Sequence, residues 1–458
     1  MEAALWRRGA RAIRSLAPDV RTWTPEQRDT VVYACGAVFA LATIRLSTIE
    51  LYRQWAEIAI GPYVVGALVS ALSVRRARRR ERESHLGTLR VGIFLFVIAG
   101  ATFLPLTLEV FLQTQTGGTT HVQPEVLVVE RSGKQVAAGK DPYPAVVSKH
   151  PTGLTALELK GQPSYDQYDP YGPLMSLFGI PSSWHLPPRF LDARVYFSLV
   201  SLLLVALALA LCRGSYEPRI LALQGMTILP TAALPMATGG DDLPVAAFLL
   251  LAMLLLHRRR SFGAGLLLGF AAGLKFTAWP LVILALVVAR DRDGRRGRGV
   301  AWVLLGMGAV LVPSVVPVFL HDPTAFLNNV VRFPLGLTKI SSPAASALPG
   351  HIIVLAFPQF RRAFPFILAI VGVAVIGWVL VRHRPRTVAD VCRLGGWAMT
   401  AGILFAPATR VGYLLYPINF FFWAWLMRSE EEAEVTIEAE SVIAAAPVPD
   451  AAAAAVAV

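Results

Sequence analysis

Charged residues are scarce in this sequence: they make up 16% of its 458 residues, whereas an ordinary soluble domain has about 25%. Hydrophobic residues account for 55%. This composition argues against a soluble globular protein and is typical of a protein embedded in a membrane. The net charge of +13 does not indicate nucleic-acid binding, because the basic residues stand in short blocks between apolar runs. In such positions they determine topology and contact anionic lipids.

Cysteine is also rare, and each of the three residues, Cys35, Cys212 and Cys392, lies in or at the end of an apolar run. The sequence therefore predicts neither a disulfide framework nor a zinc site. No divalent-metal motif is visible, and neither a metal nor another cofactor is predicted. Convergence of four acidic residues in the fold stays open: Asp166, Asp169, Asp241 and Asp242.

Charged residues are nearly absent from the centres of the apolar runs, with Lys275 as the exception. Ion-coupled transporters usually carry carboxylates or broken helices at that depth. The sequence therefore disfavours a lipid or polyol transporter or flippase, in which the long loop would be a gate, without excluding it.

The apolar runs predict an all-α polytopic membrane protein with about twelve transmembrane helices, within a range of about ten to thirteen. The predicted spans are 31–44, 58–74, 91–108, 193–212, 220–236, 243–256, two short spans within 262–288, 301–320, 364–381, 394–405 and 411–426.

Arginine-rich blocks determine the predicted orientation. They lie at 75–82, 258–260, 290–298 and 382–393. Because Lys and Arg mark cytoplasmic loops, both termini are predicted to be cytoplasmic. Loops 109–192 and 321–362 are then predicted to face outside the plasma membrane, the first with short helices that lie on the membrane surface.

This orientation divides the chain into four predicted segments. A basic cytoplasmic segment, 1–30, precedes a transmembrane hairpin with its basic loop, 31–90. The main transmembrane module covers 91–427, and a disordered cytoplasmic tail covers 428–458.

Run 262–288 lies between two arginine blocks and must cross the membrane an even number of times. Two short spans that meet near Lys275 satisfy this condition, and a re-entrant hairpin is the alternative. Both place Lys275 at or near the outer surface.

Two Asp-Pro-Tyr units, 141–143 and 169–171, stand in the first predicted outer loop. Proline fixes its own φ and keeps the preceding residue out of the α region, so each unit is a rigid corner that presents an acid and an aromatic ring. An ordinary turn with a surface tyrosine is the competing interpretation.

Segment 124–143, PEVLVVERSGKQVAAGKDPY, resembles the first outer loop of the polyprenol-phosphate-dependent mannosyltransferases of glycosyltransferase family 87. In that family an acidic residue opens a short helix, and a Gly-x-Asp-x-Tyr corner follows sixteen residues later, which is the separation of Glu125 and Asp141. Three other segments are similar to segments of the family: YGPL at 171–174, GLLLGFAAGLKFTAWPLVILAL at 265–286 and APATRVGYLLYP at 406–417. The resemblance spans 91–426.

The sequence departs from the family pattern at several positions. Glu125 replaces the catalytic Asp of the family, and Gly172 and Phe276 each replace a proline. Asp241 and Asp242 stand where the family usually has Gln or Asn. A non-catalytic relative that serves as a scaffold therefore stays open beside the enzyme.

The resemblance implies a GT-C fold in which the long outer loop covers a cavity open to the outside and to the lipid. It also implies an inverting glycosyltransferase, above all a mannosyltransferase, that uses a polyprenyl-phosphate sugar donor and a glycolipid or envelope polysaccharide as acceptor. Membrane lipids are the other expected partners.

The predicted site residues follow from the resemblance and from the needs of glycosyl transfer. Glu125 is the predicted base, with Asp241 and Asp242 as alternatives. Lys275 and Arg410 are predicted to neutralise the departing phosphate, although both can instead be helix-end anchors. The sugar pocket is predicted to contain Asp141, Tyr143, Tyr168, Asp169 and Tyr171. Trp279 is a further possible wall of this pocket, with an aromatic anchor at the membrane interface as the competing interpretation. Weaker candidates for the site are His150, Arg332 and His351.

Overall fold

The computed structural model describes residues 22–77, 84–116, 121–143, 168–292, 297–338, 344, 346–360, 363–382 and 384–445. In these ranges the regular elements are all helices, so the predicted all-α class is confirmed. The N-terminal segment up to residue 21, the arginines at 78–80 and 82, His150 and Asp166 lie outside the described residues.

The first helices coincide with the first three predicted spans. They are α1 (Pro25–Leu46), α2 (Glu50–Ala77) and α3 (Ser84–Ile98), which continues through a π-helical turn (Ala99–Phe103) into α4 (Leu104–Gln115). The predicted outer loop was therefore placed too early at Glu109, because apolar residues continue the helix to Gln115.

The predicted loop contains α5 (Pro124–Ala137) and a 3-10 helix (Pro173–Ser183). It is followed by α6 (Ala193–Leu211), α7 (Tyr216–Thr227), α8 (Pro230–Thr238), α9 (Asp242–His257) and α10 (Ser261–Leu274). A short 3-10 turn (Phe276–Ala278) leads to α11 (Trp279–Arg292). Two helices thus meet at Lys275, which agrees with both predicted alternatives, two short spans or a re-entrant hairpin.

The remaining helices are α12 (Arg298–His321), the short α13 (Pro323–Phe326), α14 (Pro349–Ala356), α15 (Phe364–Arg382), α16 (Val388–Phe405) and α17 (Leu415–Ala445). A π-helical segment (Leu327–Arg332) follows α13, and a 3-10 turn (Val411–Leu414) precedes α17. In the second predicted outer loop, short helices therefore provide hydrogen bonds for part of the backbone N–H and C=O groups.

Within the described ranges, six helices are long and apolar enough to cross a membrane, so the protein is a multi-pass membrane protein. The broken pair α7 and α8 makes a seventh crossing if it is counted as one span, and α9, α10, α11 and α15 are shorter apolar helices. The predicted count of about twelve spans is not confirmed.

The predicted disordered tail is wrong for its first part, because α17 continues past Arg428 to Ala445. Glu430, which is buried, accepts hydrogen bonds from the backbone N–H groups of Arg213 and Gly214. It also pairs with Arg258 at 2.9 Å. These contacts hold the acidic segment of α17 against the turn before α7.

The chain forms two compact units, Met1–Leu108 with Ile228–Ala237, and Glu109–Thr227 with Thr238–Val458. In the first unit the Nε1–H of Trp55 donates to the carbonyl of Ala101 at 2.9 Å. That carbonyl belongs to the π-helical turn, which frees carbonyl groups from the regular helical pattern. The third predicted span, 91–108, lies in the first unit.

In the second unit, close helix contacts depend on glycine. A Cβ at Gly265 of α10 would meet the backbone of Val303 in α12, and a Cβ at Gly133 of α5 would meet the backbone of Gly179. Small residues let backbones approach in this way in membrane proteins. The first contact fixes α10, and with it the position of Lys275.

Candidate active site

A lysine with two carboxylates forms the centre of the site. Lys275 follows the last residue of α10, and its Nζ lies 2.7 Å from Oδ1 of Asp241 and 2.9 Å from Oδ1 of Asp242. The two aspartates are at the N-terminus of α9, where the helix dipole favours negative charge. Lysine and aspartates therefore neutralise one another in part inside the protein.

Aromatic side chains surround this lysine. Its Nζ lies 5.4 Å from the ring centroid of Tyr171 and 5.5 Å from that of Tyr413, which are cation–π distances. The hydroxyl of Tyr416 donates to Oδ1 of Asp242 at 2.6 Å and lies 2.6 Å from Oγ1 of Thr277. Because the one hydroxyl hydrogen of Tyr416 goes to Asp242, the hydroxyl of Thr277 is the donor in the second contact. Asp242 is thus held by two partners.

A second ion pair joins Glu125 to Arg410, between Oε1 and Nη1. Glu125 stands in the first turn of α5, and its side chain is 9% exposed, whereas that of Arg410 is 32% exposed. The pair connects the beginning of α5 to the turn that precedes α17.

The beginning of α5 is fixed beside the chain that leads into α9. The N–H of Gln123 donates to the carbonyl of Thr238 at 2.9 Å, and its Nε2 donates to Oγ1 of the same threonine at 2.6 Å. Gly239 follows with φ of +109°, where a Cβ would meet the side chain of Val126. These contacts bring Glu125 into the electrostatic neighbourhood of Asp241.

Burial and neighbouring charges shift the protonation of these groups. Burial alone would raise the pKa of Glu125, but Arg410, a hydrogen bond from the backbone and Lys275 together outweigh it, so the pKa of Glu125 is lowered. Burial raises the pKa of Asp241 to about 6 against the effect of Lys275, and Asp242 adds to the rise. Burial would lower the pKa of Lys275, but the two aspartates outweigh it and raise that pKa.

The two Asp-Pro-Tyr corners have the same local geometry. Oδ1 of Asp141 accepts the N–H of Tyr143 at 2.7 Å, and Oδ1 of Asp169 accepts the N–H of Tyr171 at 3.2 Å. Both are turns closed by the aspartate side chain. The hydroxyl of Tyr143 donates to the carbonyl of Tyr171 at 2.6 Å, so one corner supports the other.

The corners also pack on the helices after α12. The ring of Tyr143 meets that of Phe326 edge-on, with centroids 5.6 Å apart, and the ring of Tyr168 stacks on Phe333 at 4.7 Å. The N–H of Asp169 donates to Oδ1 of Asn329 at 2.8 Å. Burial raises the pKa of this aspartate to about 7.

The structure brings together six of the ten predicted site residues: Glu125, Asp241, Asp242, Tyr171, Lys275 and Arg410. The other four, Asp141, Tyr143, Tyr168 and Asp169, form the packed corners beside Tyr171. Tyr143 is 2% exposed, so its ring contacts protein. Among the weaker candidates, Nδ1 of His351 lies 3.0 Å from the carbonyl oxygen of Pro407, and Nη1 of Arg332 donates to Oδ1 of Asn328. Trp279, the further possible pocket wall, is the first residue of α11.

Three residues of the site were missed in the sequence: Thr277, Tyr413 and Tyr416. All three lie within segments that resembled the family, 265–286 and 406–417, next to the chosen Lys275 and Arg410. Their position in those two segments was the one feature of the sequence that could have indicated them as site residues. In the part of the chain that the structure describes, no group of three or more His, Cys, Asp or Glu side chains is arranged to hold a metal ion.

The arrangement offers two kinds of chemistry at one place. Carboxylates can accept a proton, and a guanidinium and an ammonium can stabilise negative charge on a phosphate. Little of this cluster is exposed to water, which strengthens each electrostatic interaction.

Comparison with known proteins gives one family. Residues 170–417, more than half of the chain, match glycosyltransferase family 87. The matched range includes Asp241, Asp242, Lys275 and Arg410 and begins after Glu125.

Among solved structures, the crystal structure of ArnT from Cupriavidus metallidurans bound to undecaprenyl phosphate is similar, with a TM-score of 0.41 and 16% sequence identity. The alignment covers 70% of this chain and 59% of that chain, so this chain spans less than two thirds of its length. No curated protein sequence matches the chain.

Proposed function

The chain belongs to glycosyltransferase family 87, and we propose that it transfers a mannosyl unit from a polyprenyl-phosphate donor to a glycolipid or envelope polysaccharide. It is a multi-pass membrane glycosyltransferase. The proposal concerns the sugar, the lipid donor, the acceptor and the residues that act on them.

The observation that carries the proposal is the neighbourhood of the Glu125–Arg410 pair and the Lys275–Asp241–Asp242 cluster. A glycosyl transfer from a lipid phosphate needs a base for the acceptor and cations for the leaving phosphate. This part of the chain has both. Carboxylates supplied by α5 and α9 meet cations from two other turns.

In the proposed reaction, Glu125 takes the proton of the acceptor hydroxyl while that oxygen attacks the anomeric carbon. The bond between this carbon and the phosphate oxygen breaks, and its electron pair stays with the phosphate, which Arg410 and Lys275 stabilise. Asp241 and Asp242 hold Lys275. A single displacement with one base inverts the anomeric configuration.

The corners at 141–143 and 168–171 have a supporting role in the proposal. They hold the ring of Tyr171 beside Lys275 through the hydrogen bond from Tyr143 and the turn closed by Asp169. An aromatic ring next to the cation gives a flat wall for the sugar. Asp141 closes the first corner by accepting the N–H of Tyr143, and Tyr168 attaches the second corner to Phe333 by ring stacking.

The proposed orientation puts this site outside the plasma membrane and both termini in the cytoplasm. It is supported by α9 and α10, each of which has a site residue at one end and an arginine at the other. α9 runs from Asp242 to His257, which precedes Arg258, and α10 follows Arg260 and ends before Lys275. Basic residues favour the cytoplasmic side.

The test is transfer of radiolabelled mannose from polyprenyl-phosphate mannose to a cell-envelope lipid extract by purified protein in lipid. We expect transfer by the natural protein and about 10²- to 10⁴-fold less by Glu125→Gln, because a positioned base contributes about that factor. Glu432→Gln, a change at an exposed carboxylate of α17, is the matched control and should retain activity.

The other outcomes have definite meanings. Equal transfer by the natural protein and Glu125→Gln would contradict Glu125 as the base, and Asp241→Asn and Asp242→Asn would be compared next. No transfer with this or any other polyprenyl-phosphate sugar would contradict the enzyme and favour a transporter or a scaffold.

A further inference from the structure

The two cations of the site differ in how accessible they are. The ammonium of Lys275 already contacts two carboxylates, and its side chain is 13% exposed. The guanidinium of Arg410 pairs with Glu125, and its side chain is 32% exposed. A phosphate that arrives from outside the cluster therefore reaches Arg410 more easily than Lys275.

The backbone around Arg410 is fixed on both sides. The N–H of Thr409 donates to the carbonyl of Ala344 at 2.8 Å, and the N–H of Val411 donates to Oγ of Ser346 at 3.1 Å. A fixed backbone leaves only the side-chain torsions to change. The guanidinium can therefore exchange one anionic partner for another by rotation about side-chain bonds.

The charges of the cluster make such an exchange necessary. Three carboxylates, Glu125, Asp241 and Asp242, face the two cations. A sugar phosphodiester brings another negative charge to this poorly hydrated place. It can be accommodated if one cation turns from a carboxylate to the phosphate, and a guanidinium binds a phosphate through two parallel hydrogen bonds.

We propose that the Arg410–Glu125 ion pair keeps the base inactive until the donor binds. The donor phosphate takes Arg410 from Glu125, and only then does Glu125 accept the proton of the acceptor hydroxyl. This inference rests on the proposed function. It adds an order of events, with the donor bound before the acceptor reacts. While Arg410 holds Glu125, the carboxylate is a poor base and the site does not activate water.

The surroundings of Glu125 support this order. Arg410 and Lys275 favour the ionised form of Glu125, whereas Asp241 is a carboxylate that repels it. The 3-10 helix against α5 has no charged residue, and α6 begins with Arg194, which pairs with Asp192 at 2.6 Å. When Arg410 leaves, two influences that lower the pKa of Glu125 are lost, and burial is opposed only by the backbone hydrogen bond and Lys275, so this pKa rises above its value in the ion pair.

The reaction then balances within the site. The acceptor O–H bond breaks and its proton goes to Glu125, while the acceptor oxygen bonds to the anomeric carbon. The bond from that carbon to the phosphate oxygen breaks, and the phosphate keeps the electron pair. When the lipid phosphate departs, Glu125 loses its proton to water and pairs with Arg410 again.

The test is calorimetric titration of the full-length protein in lipid nanodiscs with a short-chain polyprenyl methyl phosphodiester. This probe carries the phosphate and the lipid without a sugar, and a phosphodiester has no proton to exchange near neutral pH. Titrations in two buffers of different ionisation enthalpy, at about pH 5.5, give the number of protons taken up on binding.

The natural protein should take up a measurable fraction of a proton per phosphodiester, because Glu125 is ionised before binding and gains affinity for a proton afterwards. Glu125→Gln should lose this uptake, and Asp241→Asn should keep it. Arg410→Gln should bind roughly 10- to 100-fold more weakly and take up none. The control Arg393→Gln, from the exposed pair with Asp390, should behave as the natural protein.

Three results would contradict the release of Glu125 by donor binding: no proton uptake by the natural protein, equal uptake by Glu125→Gln, or no binding of the phosphodiester. Glu125→Gln decides the question by itself if Arg410→Gln fails to fold. The transfer assay judges the proposed function separately, because it detects product whether or not donor binding moves a proton.

Discussion

At the scale of single residues, Lys275 is the group on which most others depend. Its Nζ lies 2.7 Å from Oδ1 of Asp241 and 2.9 Å from Oδ1 of Asp242, and its own side chain is mostly buried. Two adjacent carboxylates without this ammonium would repel each other in a place that water hardly reaches. Lys275 therefore stabilises the fold as well as the proposed phosphate site.

Lys275→Gln should destabilise the protein by about 3–5 kcal/mol, which is the usual loss when one partner of a buried ion pair is removed. It should also abolish sugar transfer. Thermal unfolding in detergent measures the first effect. The double variant Lys275→Gln with Asp241→Asn should recover part of the stability but no activity, and Lys140→Gln is the exposed control. An unchanged unfolding temperature would contradict this account.

Asp169 makes stability depend on pH. Burial raises its pKa to about 7 in the folded protein, above the value of 3.8 for a free aspartate. The folded state thus binds the proton more tightly than the unfolded state, so stability is greatest below about pH 4 and is lost as the pH rises from about 4 to about 7. Burial acts in the same direction on Glu130, with a pKa of about 7, and on Asp241.

The unfolding temperature should therefore fall between pH 5 and pH 8, and Asp169→Asn should reduce this fall. The amide oxygen of Asn can still accept the N–H of Tyr171, so the turn is retained. Glu432→Gln is the control at an exposed position. A variant whose pH dependence equals that of the natural protein would show that Asp169 is not the group that titrates.

At the scale of secondary-structure elements, one close backbone contact joins the corner at Tyr171 to the end of α10. The N–H of Gly172 donates to the carbonyl of Leu274 at 2.9 Å, and a Cβ at Gly172 would meet the carbonyl oxygen of Gly273. Backbone on both sides leaves no flexible side chain to give way. The corner and Lys275 are in register because residue 172 is glycine.

Gly172→Ala should therefore displace the corner from Lys275, lower stability by about 1–3 kcal/mol and reduce transfer. Gly308→Ala in α12 is the matched control, because nothing lies within 4 Å of its Cβ position. This control should be neutral or slightly stabilising, since alanine favours a helix by about 1 kcal/mol over glycine. Equal transfer rates and unfolding temperatures for the two variants would contradict the importance of the contact.

At the scale of the whole molecule, the proposed orientation gives a direct labelling test. In a variant without the natural cysteines, Lys140→Cys, beside the first corner, should react with a membrane-impermeant maleimide in intact cells. Arg386→Cys, which follows α15, should react only after the cells are permeabilised. The reverse pattern would place the site in the cytoplasm and contradict an acceptor in the outer envelope.

Most of the helices could be predicted from the sequence, because the length of an apolar run and the position of arginine are local properties. The two helices that meet at Lys275 are the best example: an apolar run between two arginine blocks predicted either two short spans or a re-entrant hairpin, and both have their turn at Lys275. The acidic start of the tail misled the prediction. Its helix depends on Glu430 meeting a turn more than two hundred residues earlier in the chain.

The sequence by itself determined that the chain is embedded in a membrane and that its polar clusters and arginine blocks alternate along it. The tertiary structure decided which of those polar residues meet. Glu125 and Arg410 are 285 residues apart in sequence, and Asp242 and Tyr416 are 174 apart. No periodicity or composition specifies such pairs, because they depend on how whole helices pack and on which turns that packing brings to the same end of the protein.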